Sequence, residues 1–167
     1  MVYTYCPTCG TKLIEKEAGD DGLTPYCSSC QRFWFPTFAD CVIVLVADEF
    51  DDVALVKMPY LSTDYKSLIS GYMKPSETAE QAAIREVDEE LGISLDRVAY
   101  AGTYWFSKTE ILMHGYTAVT SKQPLTKSAE LAVADWIPKQ DVLQQMFPDS
   151  PDNAAVAIFK QYFASTK

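Results

Sequence analysis

The stretch GYMKPSETAEQAAIREVDEELGI, residues 71–93, predicts an α-helix and indicates the chemistry that this helix carries. Thr78 and Gln81 have the spacing of a capping box, and Gly92 suits the left-handed residue that ends many helices. We therefore expect a helix from about Thr78 to Leu91. Its predicted core face consists of Ala83, Ile84, Val87 and Leu91, which recur at helical spacing.

A second face of the same helix is strongly acidic. Glu86, Glu89 and Glu90 lie three or four residues apart, so their carboxylates crowd together. Like charges at this spacing destabilise a helix by about 0.2–0.5 kcal/mol per pair. Hard divalent cations remove that repulsion, and they prefer oxygen ligands. For three glutamates taken alone, an ordinary solvated face is the alternative interpretation.

The spacing of the residues around this cluster resembles the signature box of the Nudix hydrolase family. That box reads G-x5-E-x7-R-E-U-x-E-E-x-G-U, where U is apolar, and every fixed position is filled from Gly71 through Glu77 and Arg85 to Ile93. The resemblance implies divalent-metal-dependent hydrolysis of the diphosphate bond in a nucleoside diphosphate derivative. It also implies an α+β fold, the Nudix α/β/α sandwich with a mixed sheet, often as a homodimer.

The family resemblance also implies roles for individual residues. By their positions in the box, Glu86 and Glu90 are expected to be the main ligands of Mg²⁺ or Mn²⁺. Glu89 is expected to be either a third ligand or the general base. Arg85 and Glu77 are expected to pair and to orient the metal-binding side chains.

Further candidates flank the box. Gly71 permits close backbone approach to a ligand, and Tyr72 is a candidate for stacking on a base, with packing against a neighbouring strand as the alternative. Residues 130–136, ELAVADW, resemble the family's late E-L-x-x-A-x-W segment. Glu130 is therefore expected to be an additional metal ligand or base, and the alternative is an exposed loop glutamate.

The N-terminal cysteines form two CxxC pairs, Cys6 with Cys9 and Cys27 with Cys30, separated by 17 residues. This pattern predicts a closed tetrahedral Zn²⁺ site, which is structural because no position is left for water or substrate. So short a segment buries little core, and we expect zinc to supply folding energy. The fifth cysteine, Cys41, lies in an apolar run and is interpreted as a buried small hydrophobic residue.

Pro36 marks the expected boundary between a zinc ribbon at residues 1–36 and a Nudix hydrolase domain at residues 37–167. Within the second domain, short apolar runs predict six strands at residues 41–47, 53–58, 68–73, 98–106, 111–119 and 132–137. Two later segments predict helices at residues 141–146 and 154–163. Strands and helices alternate irregularly, which is typical of an α+β fold with a mixed sheet.

The four-cysteine ribbon followed by the Nudix box resembles the C-terminal two-thirds of bacterial NADH pyrophosphatases. This resemblance implies that the substrate is NAD(H) or an ADP-ribose-like compound. Those enzymes carry S-Q-P-W-P-F-P-x-S after the box, whereas residues 103–111 read TYWFSKTEI and contain none of the prolines. Phe106 takes the place of the tryptophan and is a candidate substrate contact. Lys74 replaces a residue that is commonly acidic in the box and brings positive charge near the metals. The alternatives are a non-catalytic Nudix nucleotide sensor and the removal of nucleotide caps from RNA.

Composition narrows the expected partners. The net charge of −9 repels polyanions, so a small-molecule nucleotide is the expected substrate and nucleic acid is an unlikely partner. No apolar run reaches the length of about 18 residues that a membrane span requires. The first residues have no signal-peptide pattern, and we expect a cytoplasmic protein.

Overall fold

The computed structural model describes residues 2–165, which form two compact units that divide between Phe38 and Ala39. The first unit is a three-stranded antiparallel sheet, in which β2 lies between its neighbours. Its elements are β1 (Ile14–Glu17), a short 3₁₀ turn (Gly19–Asp21), β2 (Leu23–Cys27) and β3 (Arg32–Phe33).

The second unit is built on a six-stranded mixed sheet with the order β7-β8-β4-β5-β9, and β6 pairs with β4. Its strands are β4 (Ala39–Ala47), β5 (Val53–Lys57), β6 (Ile69–Tyr72), β7 (Ala99–Phe106), β8 (Ile111–Val119) and β9 (Val133–Ile137). Its helices are α1 (Ala79–Leu91), α2 (Lys139–Gln145) and α3 (Ala154–Ser165). Each predicted element is found with its ends within two residues. Between residues 2 and 165, no helix combines the length and the apolar character that crossing a membrane requires.

Strand β4 lies at the centre of a three-layer sandwich. Alternate residues Val42, Val44 and Val46 join the core under α1, whereas Ile43 and Leu45 join the core with α2 and α3. Both faces of the strand are covered, which explains an apolar run without polar alternation. The strand is parallel to β8 and antiparallel to β5 and β6, so the expected α+β sandwich with a mixed sheet is confirmed.

Helix α1 begins and ends at the predicted signals. Thr78 and Gln81 form both bonds of the capping box, and Gly92 ends the helix with a φ of 66°. The core face differs in one respect from the predicted one. Ile84 is only half-buried, whereas Glu90 is buried with Val87. Glu90 follows Val87 by three residues, so the helical repeat brings both side chains to the face that packs on the sheet.

Candidate active site

Arg85 organises the acidic cluster. Its guanidinium donates two hydrogen bonds to Glu77, from Nη2 to Oε1 at 2.7 Å and from Nε to Oε2 at 3.0 Å. Nη1 donates to Glu86 at 2.5 Å and to Glu89 at 3.0 Å, and Nη2 donates to the Tyr72 carbonyl at 3.1 Å. The bonds from Arg85 are the main reason that the pKa of Glu77 falls to about 2. One arginine therefore connects the end of β6 to three carboxylates.

Gly71 makes room for the Glu86 carboxylate. A Cβ atom on residue 71 would lie 2.1 Å from Glu86 Cδ and 2.2–2.3 Å from its two oxygens. Gly71 lies in β6 and pairs with Val42 of β4, so the carboxylate lies directly against the sheet backbone. Any other residue at position 71 has to displace Glu86 from this position.

Glu90 is a buried carboxylate without full hydrogen bonding. Its side chain is 7% exposed, and its Oε2 has no hydrogen-bond partner among the described residues. Burial, followed by the charges of Glu86, Glu130 and Glu89, raises the pKa of Glu90 to about 8. Leaving a charged group buried without a partner is costly. A carboxylate oxygen in this state fits a divalent-cation ligand, because the cation supplies the missing partner and neutralises the charge.

Glu130 reaches this region because its loop is bonded to the end of α1. The Thr126 amide donates to the Leu91 carbonyl at 2.8 Å, and the Ser128 amide donates to the Glu90 carbonyl at 3.2 Å. Glu130 follows in an exposed turn, and its charge contributes to the raised pKa of Glu90. The structure thus brings together two carboxylates that lie 40 positions apart in the sequence.

Glu89 lies on the exposed side of the cluster, between two cations. Lys74 Nζ lies 3.0 Å from its Oε1, and Arg85 Nη1 lies 3.0 Å from its Oε2. These contacts lower the pKa of Glu89, and Lys74 has the largest effect. In the described part of the chain, no three carboxylates of this site have oxygens within 4.8 Å of one another. Bonds to Arg85 and Lys74 hold Glu86 and Glu89 in these positions.

Sequence reasoning missed Tyr60, which lies in the loop between β5 and β6. Its side chain is 71% exposed, and its hydroxyl donates to Met58 Sδ at 3.0 Å. Burial of the hydroxyl, followed by the charges of Glu90, Glu130 and Glu86, raises its pKa, which identifies it as a neighbour of the cluster. The signal in the sequence was weak, because Tyr60 is one of two tyrosines in this loop and nothing in the sequence distinguishes it from Tyr65.

The two aromatic substrate candidates lie on different strands. Tyr72, at the end of β6, is 60% exposed, so packing against a neighbouring strand does not bury it. Phe106 lies at the end of β7, opposite Ile111 of β8. Because β8 and β4 separate β7 from β6, Phe106 lies three strand spacings from Tyr72, or about 14 Å.

The first unit contains a separate cluster of four thiols. The Sγ atoms of Cys6, Cys9, Cys27 and Cys30 all lie within 4.8 Å of one another. Two of these separations are 3.5 and 3.9 Å, and a tetrahedral zinc site with Zn–S bonds of about 2.3 Å requires about 3.8 Å. The Cys30 amide donates to Cys27 Sγ at 3.3 Å, a bond that stabilises a thiolate. The cluster is therefore compatible with the predicted zinc ribbon.

The NUDIX domain model matches residues 37–157, and the chain belongs to the NUDIX family. Divalent metals are a general requirement of this family. Two features of this structure fit a metal-binding site. Glu90 has a carboxylate oxygen without a partner among the described residues, and Gly71 leaves space for the Glu86 carboxylate beside β6.

Similar proteins include two curated relatives. The NAD-capped RNA hydrolase NudC of Photobacterium profundum is 30% identical over 81% of this chain and 51% of its own length. The protein of the same name from Pseudomonas fluorescens is 28% identical over 85% of this chain and 46% of its own length. The chain therefore spans about half the length of these relatives.

Solved structures show the same fold. A NUDIX hydrolase from Nitrosomonas europaea aligns with a TM-score of 0.68 and 19% identity, over 96% of this chain and 93% of its own. The NUDIX domain of Shewanella oneidensis NrtR, solved with ADP ribose, aligns with a TM-score of 0.67 and 18% identity, over 85% of this chain and 94% of its own.

Proposed function

We propose that this protein is a divalent-metal-dependent enzyme that cleaves the diphosphate bond of a nucleoside diphosphate derivative. The observation that carries the proposal is Glu90, a buried carboxylate. Its Oε2 has no hydrogen-bond partner within residues 2–165, and its neighbours Glu86 and Glu130 add negative charge. Mg²⁺ and Mn²⁺ suit this site, because both ions prefer carboxylate oxygens and bind substrate phosphates.

Each residue of the cluster has a defined part in this proposal. Glu86 and Glu90 bind the metal, Glu130 adds a further oxygen ligand, and Glu89 is a third box ligand or the general base. A bound divalent ion polarises the diphosphate and lowers the pKa of water. Arg85 is a positioning residue, since it holds two of these carboxylates by hydrogen bonds and is itself held by Glu77.

For the substrate, we propose an NAD-type dinucleotide, either free or as the cap of an RNA. The relatives named NAD-capped RNA hydrolase support the RNA-cap form, and they do not support the expectation that nucleic acid is an unlikely partner. The neighbour solved with ADP ribose adds that compound as a candidate. Tyr72 and Phe106 are the proposed contacts for the bases, on strands β6 and β7, which β4 and β8 separate.

The test is a panel of possible substrates offered to the zinc-loaded protein with Mg²⁺ or Mn²⁺. The panel contains NADH, NAD⁺, ADP-ribose, FAD, diadenosine polyphosphates and NAD-capped RNA, and chromatography identifies the products. We expect cleavage between the two phosphates, giving AMP and reduced nicotinamide mononucleotide from NADH. Glu86→Gln should abolish turnover, whereas Asp88→Asn, a neighbouring exposed acid outside the fixed positions of the box, should retain it.

Two outcomes would overturn this proposal. Tight nucleotide binding without metal-dependent turnover across the whole panel would favour a nucleotide sensor. Full activity of the Glu86→Gln protein would place the chemistry elsewhere in the chain.

For the ribbon at residues 1–36, we propose a structural Zn²⁺ on its four cysteines, and for the whole chain a homodimer. The zinc content of the purified protein and light scattering after size exclusion test these two proposals. A purified protein without zinc would contradict the zinc proposal. A monomer in solution would contradict the dimer proposal.

A further inference from the structure

Lys74 forms a defined contact at the edge of the carboxylate cluster. It lies in the loop between β6 and α1, and its Nζ is 3.0 Å from Glu89 Oε1. Its backbone amide donates to Glu77, which Arg85 holds in turn by two hydrogen bonds. The loop that carries the ammonium group is therefore anchored to the same arginine that organises the site.

Lys74 and Arg85 leave Glu89 with no uncommitted oxygen. One oxygen of Glu89 is bonded to Lys74 and the other to Arg85, whereas one oxygen of Glu90 has no partner in the part of the chain that the structure describes. Arg85 makes four further hydrogen bonds, two to Glu77 and one each to Glu86 and the Tyr72 carbonyl. A cation that approaches Glu89 would therefore displace the ammonium of Lys74 more easily than the guanidinium.

Exposure and charge both indicate that Lys74 leaves Glu89 more easily than Arg85 does. The Lys74 and Glu89 side chains are 57% and 50% exposed, whereas Arg85 is 19% exposed. An ion pair that is open to water contributes little, so water replaces the contact of Lys74 at small cost. The lysine also places a positive charge beside the site proposed for a divalent cation. Repulsion between the ammonium and the cation opposes metal binding.

We propose that Lys74 is an internal competitor of the divalent cation at Glu89 and sets the metal concentration at which the enzyme becomes active. The inference rests on the proposed use of the helix carboxylates as metal ligands. In the metal-free protein, Lys74 neutralises Glu89. When the metal binds, the ammonium turns into solvent and Glu89 becomes available to the ion.

The test measures metal affinity directly, without substrate. Titration of zinc-loaded protein with Mn²⁺, followed by the loss of the free Mn²⁺ electron paramagnetic resonance signal, gives a dissociation constant. Lys74→Gln should bind Mn²⁺ about two- to tenfold more tightly than wild type, the range expected for losing an exposed ion pair and its repulsion. Lys74→Arg, which keeps the charge, should remain close to wild type.

Lys160→Gln is the matched control. Lys160 pairs with Asp149 at 2.5 Å, and both side chains are similarly exposed, at 55% and 61%. This variant changes the net charge by the same amount but lies on α3, away from the carboxylate cluster. If both lysine variants shift the affinity equally, or if Lys74→Gln weakens binding, the proposal is overturned.

Turnover provides a second readout. The metal concentration for half-maximal rate should fall in Lys74→Gln by the same factor as the dissociation constant, while the rate at saturating metal stays near that of wild type. Failure of the proposed function would give a different experimental result. In that case, wild-type protein and Glu86→Gln would bind Mn²⁺ equally and neither would show metal-dependent hydrolysis, which overturns both proposals together.

Discussion

Gly71→Ala should inactivate the enzyme while leaving its fold almost unchanged. The new Cβ would lie 2.1 Å from Glu86 Cδ, whereas ordinary contacts of such an atom begin near 3.4 Å. The carboxylate therefore has to move by about 1.3 Å to reach an ordinary contact distance. A misplacement of about 1 Å can reduce a rate 100-fold. The clashing atoms are the end of a flexible side chain, so stability should change by less than about 1 kcal/mol.

The assay combines turnover at saturating metal with urea unfolding of the same preparations. A double-mutant cycle in Mn²⁺ affinity assigns the cause, because Gly71→Ala should weaken binding no further in a protein that already carries Glu86→Ala. Full activity of Gly71→Ala would show that the position of Glu86 is unimportant. A large loss of stability with proportional loss of activity would instead show that Gly71 is required for folding.

Three more predictions concern single groups of the two units. Glu90→Gln should abolish turnover. In the absence of divalent ions, the same substitution should stabilise the fold. The pKa of Glu90 is raised from 4.5 to about 8, so wild type loses stability as the pH rises through this range. The free energy of unfolding of Glu90→Gln should therefore exceed that of wild type by about 1–3 kcal/mol at pH 9 and by little at pH 5. Equal differences at the two pH values in urea unfolding would contradict this. Cys27→Ala should abolish zinc binding, measured by elemental analysis, whereas Cys41→Ala should retain it; loss in both would refute the four-thiol assignment. Tyr72→Ala should raise KM about fivefold or more, because base stacking is worth at least about 1 kcal/mol, and Tyr72→Phe should not; unchanged KM in both would remove Tyr72 from the substrate site.

Local signals in the sequence were sufficient for the elements of the fold. The capping box at Thr78 and Gln81 predicted the start of α1, and Gly92 predicted its end. Apolar runs predicted the strands, because a strand covered on both faces has no polar alternation. Patterns of this kind involve residues close in the chain, so no knowledge of the tertiary structure was required.

The sequence also determined the family, through the spacing of the box from Gly71 to Ile93. What it did not determine is which carboxylate is buried. Glu86, Glu89 and Glu90 all belong to one acidic stripe, yet Glu90 is 7% exposed and Glu89 is half-exposed. The difference depends on where the sheet lies relative to the helix, and helical spacing alone does not specify it.

Contacts between distant residues depended on the tertiary structure altogether. The approach of Gly71 to Glu86, the pairing of Lys74 with Glu89 and the arrival of Glu130 beside the end of α1 each join separate elements or loops. Their physical origin is the packing of α1 on β4 and β6, which brings the helix face, the strand end and two loops to one place. A sequence determines the residues available for such a site, and packing decides which of them meet.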